Sequence, residues 1–142
     1  MEPKINSTVD FGPKFLVHNG LQNCNKNSSY LHDSCSMNIL NEILQSKFKN
    51  FCTRLDNLTI SEILPLIKSC DVSICNDSSF SHLSSALGIK TITLMADTPL
   101  IYGNYSSKMF PIIPDGEDTV SHDTLGKDKI NPQKIVRKLL EI

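Results

Sequence analysis

The chain has 142 residues, of which 39% are apolar, and its formal net charge at pH 7 is −1. This length suits one domain with a single hydrophobic core. The 14 basic residues are scattered and form no basic footprint of the kind that binds nucleic acid, so no nucleic-acid partner is expected. No apolar run approaches the roughly 20 residues that a transmembrane helix needs.

The N-terminal sequence and the cysteines indicate the cellular compartment in which the protein is expected. Residues 1–14 are polar and include two prolines, which predicts a disordered lead-in or linker remnant before an α/β domain over residues 15–142. No secretory h-region is present, and the five cysteines lack metal-ligand spacing, so we expect reduced thiols in a cytoplasmic protein. Peripheral attachment to the inner face of the cytoplasmic membrane is the alternative location.

The first part of the domain has a weak secondary-structure pattern. Phe15–Val17 is typical of a short buried strand that ends before a turn at Gly20. Residues 21–35 are polar and loop-like, apolar residues recur with helical spacing over 37–47, and residues 48–55 are compatible with another strand. This segment has room for little more than one strand–helix unit.

A clearer pattern begins at Thr59. Thr59 and Glu62 form a capping box at the start of a helix, which Pro65 bends or shortens. The apolar face of this helix consists of Ile60, Ile63, Leu64 and Ile67. A strand over 71–75 and a polar turn over 76–79 follow.

The remaining elements continue the alternation of strands and helices. A helix over 80–87 is stopped by Gly88, where the left-handed conformation is accessible, and a strand over 91–95 follows. A loop containing Pro99, Gly103 and Pro111 leads to a last helix that Asn131 and Pro132 open. The inward residues predicted for this helix are Ile135, Val136, Leu139 and Leu140. The alternation predicts an α/β fold with a parallel sheet flanked by helices.

The loop over residues 76–81 follows a predicted strand and precedes a helix, where open parallel sheets bind ligands. Backbone N–H groups at the helix start and the hydroxyls of Ser78 and Ser79 could bind a phosphate. His82 could add an imidazole donor, and Asp77 could orient the loop or accept hydrogen bonds from a sugar hydroxyl. Simple helix capping, with His82 as a half-buried packing residue, explains the same pattern without a ligand.

A second loop over residues 97–105 follows the strand that ends near Ala96. Thr98 and the amides after it could supply further anion donors, or the same residues could form a plain turn. Tyr102 and Tyr105 could stack on a base or merely cover the core. The sequence leaves these alternatives open.

Several reaction classes lack their sequence signatures. There is no G-x-S-x-G elbow, and Asp77, Ser78 and His82 lie too close along the chain for a triad, which is normally assembled from separate elements. No C-x-x-C pair, zinc spacing, glycine-rich dinucleotide motif or P-loop occurs. We therefore expect neither a metal nor a bound cofactor.

Residues 59–105 combine several motifs in one order. The helix and strand are followed by DSSFSHL over residues 77–83, ALG over 86–88 and TITL over 91–94. This run resembles the C-terminal half of the heptosyltransferase-like family 9 glycosyltransferases, in which Asp-Ser/Thr-Gly-x-x-His-Leu precedes Ala-x-Gly and a Thr-rich strand. About a third of the chain carries this resemblance.

The resemblance implies a single Rossmann-like domain, the donor-binding half of a GT-B enzyme, with a nucleotide-diphosphate sugar as substrate. The residues it places at this donor are Asp77, Ser78, Ser79, Phe80, His82 and, alongside them, Thr98. The implied reaction transfers a sugar, often heptose, to lipopolysaccharide or a related glycan or lipid-linked acceptor. A separate N-terminal GT-B half would bind the acceptor and supply the catalytic base, so the resemblance assigns no catalytic residue to this chain.

The chain departs from the family pattern at three points. Ser79 stands where the motif has glycine, the segment between Gly20 and Thr59 is short, and the acceptor half is missing. Two other interpretations therefore stay open. The chain could be a non-catalytic nucleotide- or phosphate-binding module, or an inactive fragment that binds no ligand.

Overall fold

A computed structural model describes residues 58–142 continuously, residues 42, 45–47, 49 and 55 as isolated positions, and the backbone of residues 15–18. Four parallel strands form one sheet in the order β1-β2-β3-β4. They are β1 (Phe15–His18), β2 (Val72–Asn76), β3 (Lys90–Leu94) and β4 (Met109–Ile112).

Three α-helices accompany this sheet: α1 (Ile60–Lys68), α2 (Ser79–Ala86) and α3 (Pro132–Glu141). Two short 3-10 helices cover Leu100–Gly103 and Lys127–Lys129. The predicted α/β class is therefore confirmed. The lead-in predicted over 1–14, the loop over 21–35, the helix over 37–47 and the strand over 48–55 lie outside the continuously described residues.

The two faces of the sheet differ in chemistry. The face toward α3 is apolar, and its buried cluster consists of Val72, Ile92, Ala96, Ile112 and Ile130. The face toward α2 is lined by hydroxyls, because Ser73, Thr91 and Thr93 point there and are fully buried. Ser84 of α2 donates a hydrogen bond to Ser73 Oγ at 3.0 Å. Helices therefore cover both faces, with an apolar cluster toward α3 and a small polar contact between the sheet and α2. A second apolar cluster, around Ile63, Ile67 and Ile89, lies between α1 and α2.

The capping box predicted for α1 is present. The Thr59 N–H donates to Glu62 Oε2 at 2.8 Å, and the Thr59 hydroxyl donates to the same oxygen at 2.7 Å. These bonds hold the pKa of Glu62 below its ordinary value. The helix continues through Pro65 to Lys68 and buries Ile63 and Ile67, while Ile60 is exposed.

Gly88 ends α2 in the way that the sequence predicts. Its φ of +82° is left-handed, and its N–H donates to Ser85 O at 2.9 Å. The Ile89 N–H donates to Ser84 O at 3.0 Å, which completes a Schellman motif. Ile89 then packs against Ile63 and Ile67, so the turn also joins α2 to the α1 side of the core.

Strand β4 lies where the sequence predicts only a loop. Pro111 interrupts the strand pattern, yet it pairs in register with Thr93 of β3. The carbonyls of Lys108 and Ile112 accept hydrogen bonds from β3, so by alternation the nitrogen of Pro111 faces away from β3. Among the described residues β4 has a neighbouring strand on one side only, which is where proline is tolerated.

The start of α3 agrees with the prediction, but its inward face differs. Asn131 Oδ1 accepts a hydrogen bond from the Gln133 N–H at 2.9 Å, as an N-cap does. Ile135 and Leu139 pack against the core. The inward placement predicted for Val136 and Leu140 is wrong, because their side chains lie on the outer side of the helix and Leu140 is 83% exposed.

Gly103 lets the loop after β3 pass closely over the core. A Cβ at this position would overlap the sulfur of Met95 and lie 3.1 Å from its Cγ and Cε, and Met95 is fully buried. We expect Gly103→Ala to lower the free energy of unfolding by about 1–3 kcal/mol through overpacking. Urea unfolding measures this change, with the exposed neighbour Asn104→Ala as the control. Equal stabilities of the two variants would contradict the packing argument.

Candidate functional site

The two loops singled out in the sequence meet at the carboxyl ends of β2 and β3. The Asp77 N–H donates to Leu94 O at 3.2 Å, which continues the pairing of the two strands by one residue. The Thr98 hydroxyl donates to Asp77 Oδ2 and so connects the loops through their side chains. The structure therefore brings Asp77 and Thr98 together, although 21 residues separate them along the chain.

Asp77 has one satisfied and one unsatisfied carboxylate oxygen. Its side chain is only 11% exposed, and Oδ1 is buried with no hydrogen-bond partner among the described residues. The imidazole of His82 lies close by, but its Nε2 is 3.7 Å from Oδ1, too far for a hydrogen bond. A buried carboxylate oxygen in this state retains an unused capacity to accept a hydrogen bond.

Ser78 and Ser79 lie at the N-terminus of α2, as the sequence predicts. Ser78 is the N-cap residue, and its N–H donates to Ser81 Oγ at 3.3 Å. Ser78 and Ser81 have the arrangement of a capping box, but Ser78 Oγ is buried without a hydrogen bond of normal geometry in the described part of the chain. Ser79 is exposed. The ring of Phe80 packs against the cluster around Ile67, so Phe80 offers its backbone rather than its ring to the loop.

His82 projects from α2 toward the second loop and remains 41% exposed. Its Nδ1 lies 2.7 Å from the hydroxyl oxygen of Tyr105, and the two rings stack with centroids 5.7 Å apart and planes inclined by 16°. The sequence proposes Tyr105 only as a base-stacking or core-covering residue. The structure instead places Tyr105 against a candidate site residue, although Tyr105 and Tyr102 are both exposed.

Comparison of the sequence with models of known protein families shows which family the chain belongs to. The model of glycosyltransferase family 9 (heptosyltransferase) matches residues 28–116, which is more than half of the chain. The chain belongs to glycosyltransferase family 9. Comparisons with curated proteins and with solved structures give no match.

The family match covers the whole candidate site of this family 9 chain. It includes β2, β3 and β4 and both loops, from Asp77 to Tyr105. Family membership therefore supports a transferase that acts on a sugar donor and an acceptor. It also confirms the resemblance found over residues 59–105 and extends the matched range in both directions.

The sequence analysis of this family 9 chain does not identify Lys127 as a residue near the site. Lys127 Nζ lies 2.8 Å from Asp97 Oδ2, so it pairs with the carboxylate beside Thr98. The two residues are 30 positions apart, and no local pattern connects them. Lys127 is about half exposed, and no ion pair between it and Asp77 is present among the described residues.

Cys75, close to the end of β2, is the thiol nearest in sequence to the first loop of the family 9 site. Burial raises the pKa of the Cys75 thiol to about 11, so this thiol at the end of β2 stays protonated at neutral pH. Within the described residues, no group of three or more His, Cys, Asp or Glu side chains could hold a metal ion. No helix in that same part of the chain is long and apolar enough to cross a bilayer.

Proposed function

We propose that this chain is the donor-binding half of a glycosyltransferase and holds a nucleotide-diphosphate sugar at the carboxyl ends of β2 and β3. The observation that carries the proposal is the meeting of two loops around buried, unpartnered oxygens of Asp77 and Ser78. Polar atoms in this state are uncommon in folded proteins and are often explained by a ligand or water. Membership of family 9 supports a sugar donor as the ligand class.

Each site residue has a proposed role that follows from its position. The N-terminus of α2 binds the diphosphate, because its first N–H groups lack intrahelical partners and the helix dipole favours an anion. The Ser78 hydroxyl donates to the same anion, and the exposed Ser79 side chain borders it. His82 donates from the next turn. Asp77 Oδ1 accepts a hydrogen bond from a sugar hydroxyl, and Thr98 holds the other carboxylate oxygen.

The remaining parts of the proposed reaction lie outside these residues. The acceptor is lipopolysaccharide or a related glycan or lipid-linked molecule, and the sugar is a heptose or another sugar carried by a nucleotide. An N-terminal GT-B half binds the acceptor and supplies the catalytic base. The donor is a substrate, and the proposed site needs neither a metal nor a cofactor.

Thermal unfolding with a panel of ligands tests donor binding. ADP, GDP, CDP, UDP and their sugar conjugates are compared with the matching nucleosides, which lack phosphate. At one hundred times its dissociation constant the bound ligand adds about 2.7 kcal/mol. For a domain of this size that raises Tm by on the order of 10 °C. We expect a shift with at least one diphosphate and none with the nucleosides.

The outcomes separate the competing functions. No shift with any diphosphate would contradict donor binding and favour an inactive fragment. A shift without sugar transfer, when the chain is combined with a family 9 N-terminal half and a glycan acceptor, would favour a non-catalytic binding module. Transfer by the combined halves but by neither half alone supports the proposal in full.

A further inference from the structure

The side chain of Tyr105, in the second loop, contacts the side chain of His82 in α2. Its hydroxyl oxygen lies 2.7 Å from His82 Nδ1, and its ring stacks on the imidazole. The same imidazole directs Nε2 toward Asp77 Oδ1 at 3.7 Å. The two ring nitrogens of His82 therefore face different partners, a hydroxyl that can donate or accept and a carboxylate that can only accept.

These partners distinguish between the two neutral forms of the imidazole. With the proton on Nδ1, the lone pair of Nε2 would face the negatively charged carboxylate oxygen of Asp77, which is electrostatically unfavourable. With the proton on Nε2, its N–H points at that carboxylate, and Nδ1 accepts a hydrogen bond from the Tyr105 hydroxyl. The hydrogen bond at one ring nitrogen sets which form the other nitrogen presents.

We propose that Tyr105 is a positioning residue that holds His82 with its proton on Nε2, ready to donate to an anion at the N-terminus of α2. The stacked tyrosine ring fixes the plane of the imidazole, and the tyrosine hydroxyl fixes its tautomer. The effect on ligand affinity rests on the proposed function, whereas the tautomer of His82 is a property of the protein without ligand. The two can therefore be tested separately.

Nitrogen-15 NMR of the full chain at pH 8 measures the tautomer directly, and His82→Gln identifies the His82 signals among the four histidines. We expect Nε2 to carry the proton and Nδ1 to have the chemical shift of an unprotonated ring nitrogen. In Tyr105→Phe both shifts should move toward the values of a tautomer mixture. Tyr102→Phe, an exposed tyrosine of the same loop, is the matched control and should leave them unchanged.

Two results would overturn the proposal. One is a proton on Nδ1 in the unaltered chain, alone or together with a proton on Nε2. The other is a His82 spectrum that Tyr105→Phe does not change. A merely structural role of Tyr105 would lower stability without changing the tautomer, so the free energy of unfolding is measured for both tyrosine variants.

Binding of inorganic pyrophosphate provides the second measurement. If the proposed function holds, Tyr105→Phe should weaken pyrophosphate binding about fivefold, as expected for one lost orienting hydrogen bond, and Tyr102→Phe should not. Equal affinities in the two variants would contradict a role of Tyr105 in anion binding. If the unaltered chain does not bind pyrophosphate while the tautomer result stands, the diphosphate function fails and the positioning of His82 by Tyr105 remains.

Discussion

Ile92→Ala is expected to lower the free energy of unfolding by about 2–5 kcal/mol, the range for a fully buried isoleucine truncated to alanine. Ile92 lies in the middle of β3 with no exposed surface. It packs in the cluster that also contains Val72 and Ile112, so its removal leaves a cavity bounded by three strands. Because a domain of this size has a total stability of about 5–15 kcal/mol, the variant should lose a large fraction of it.

Urea unfolding followed by circular dichroism measures this loss. Ile101→Ala is the matched control, because it removes the same atoms from a side chain that is 72% exposed, and it should change stability by less than about 0.5 kcal/mol. If both variants lost the same stability, the assignment of the core to the α3 side of the sheet would be wrong. If Ile92→Ala proved too unstable to purify, Ile92→Val should give a smaller loss of about 0.5–1.5 kcal/mol.

His82→Ala is expected to reduce the affinity for a nucleoside diphosphate about 10- to 100-fold, the effect of one hydrogen bond to a charged group. The imidazole is partly exposed and lies next to the α2 N-terminus, so it can reach an anion there. Isothermal titration calorimetry, with the diphosphate that gives the largest thermal shift, measures the change. Because His82 is not part of the buried core, the free energy of unfolding without ligand should change little.

The control for this prediction is His122→Ala. His122 is exposed and lies well beyond the two site loops in sequence, so its replacement should leave the affinity unchanged. Equal affinities of the unaltered chain and His82→Ala would remove His82 from the site. Ser78→Pro is a more drastic variant, since it removes the hydroxyl and the N–H of the N-cap residue and cannot keep the φ of −158° that Ser78 has. It should abolish binding if the α2 N-terminus holds the diphosphate.

The sequence predicts the features that depend on neighbouring residues. The Thr59 capping box and the glycine turn at Gly88 require only a few consecutive positions, and the structure confirms both. The N-cap of α3 is equally local. The order of strands and helices after Thr59 follows from the same kind of pattern, which is why the α/β class is predictable without a structure.

Other features depend on tertiary context. An edge position makes Pro111 acceptable in a strand, but whether a strand lies at an edge is not visible in its own residues. Val136 and Leu140 have the spacing of a helix face, and only the packing of α3 shows that the face containing Ile135 is the buried one. The contact between His82 and Tyr105 joins α2 to a loop residue 23 positions further along the chain, so no local pattern indicates it.

Pro111 has a consequence for the behaviour of the chain at high concentration. An unpaired strand edge offers a row of N–H and C=O groups on which a second molecule can add a strand and begin aggregation. In the part of the chain that the structure describes, the outer side of β4 pairs with no strand. The nitrogen of Pro111 on that side carries no hydrogen, so one donor is missing there. A second strand that added to this side of β4 would lack one backbone hydrogen bond at Pro111. We therefore expect β4 to be a poor template for fibril growth.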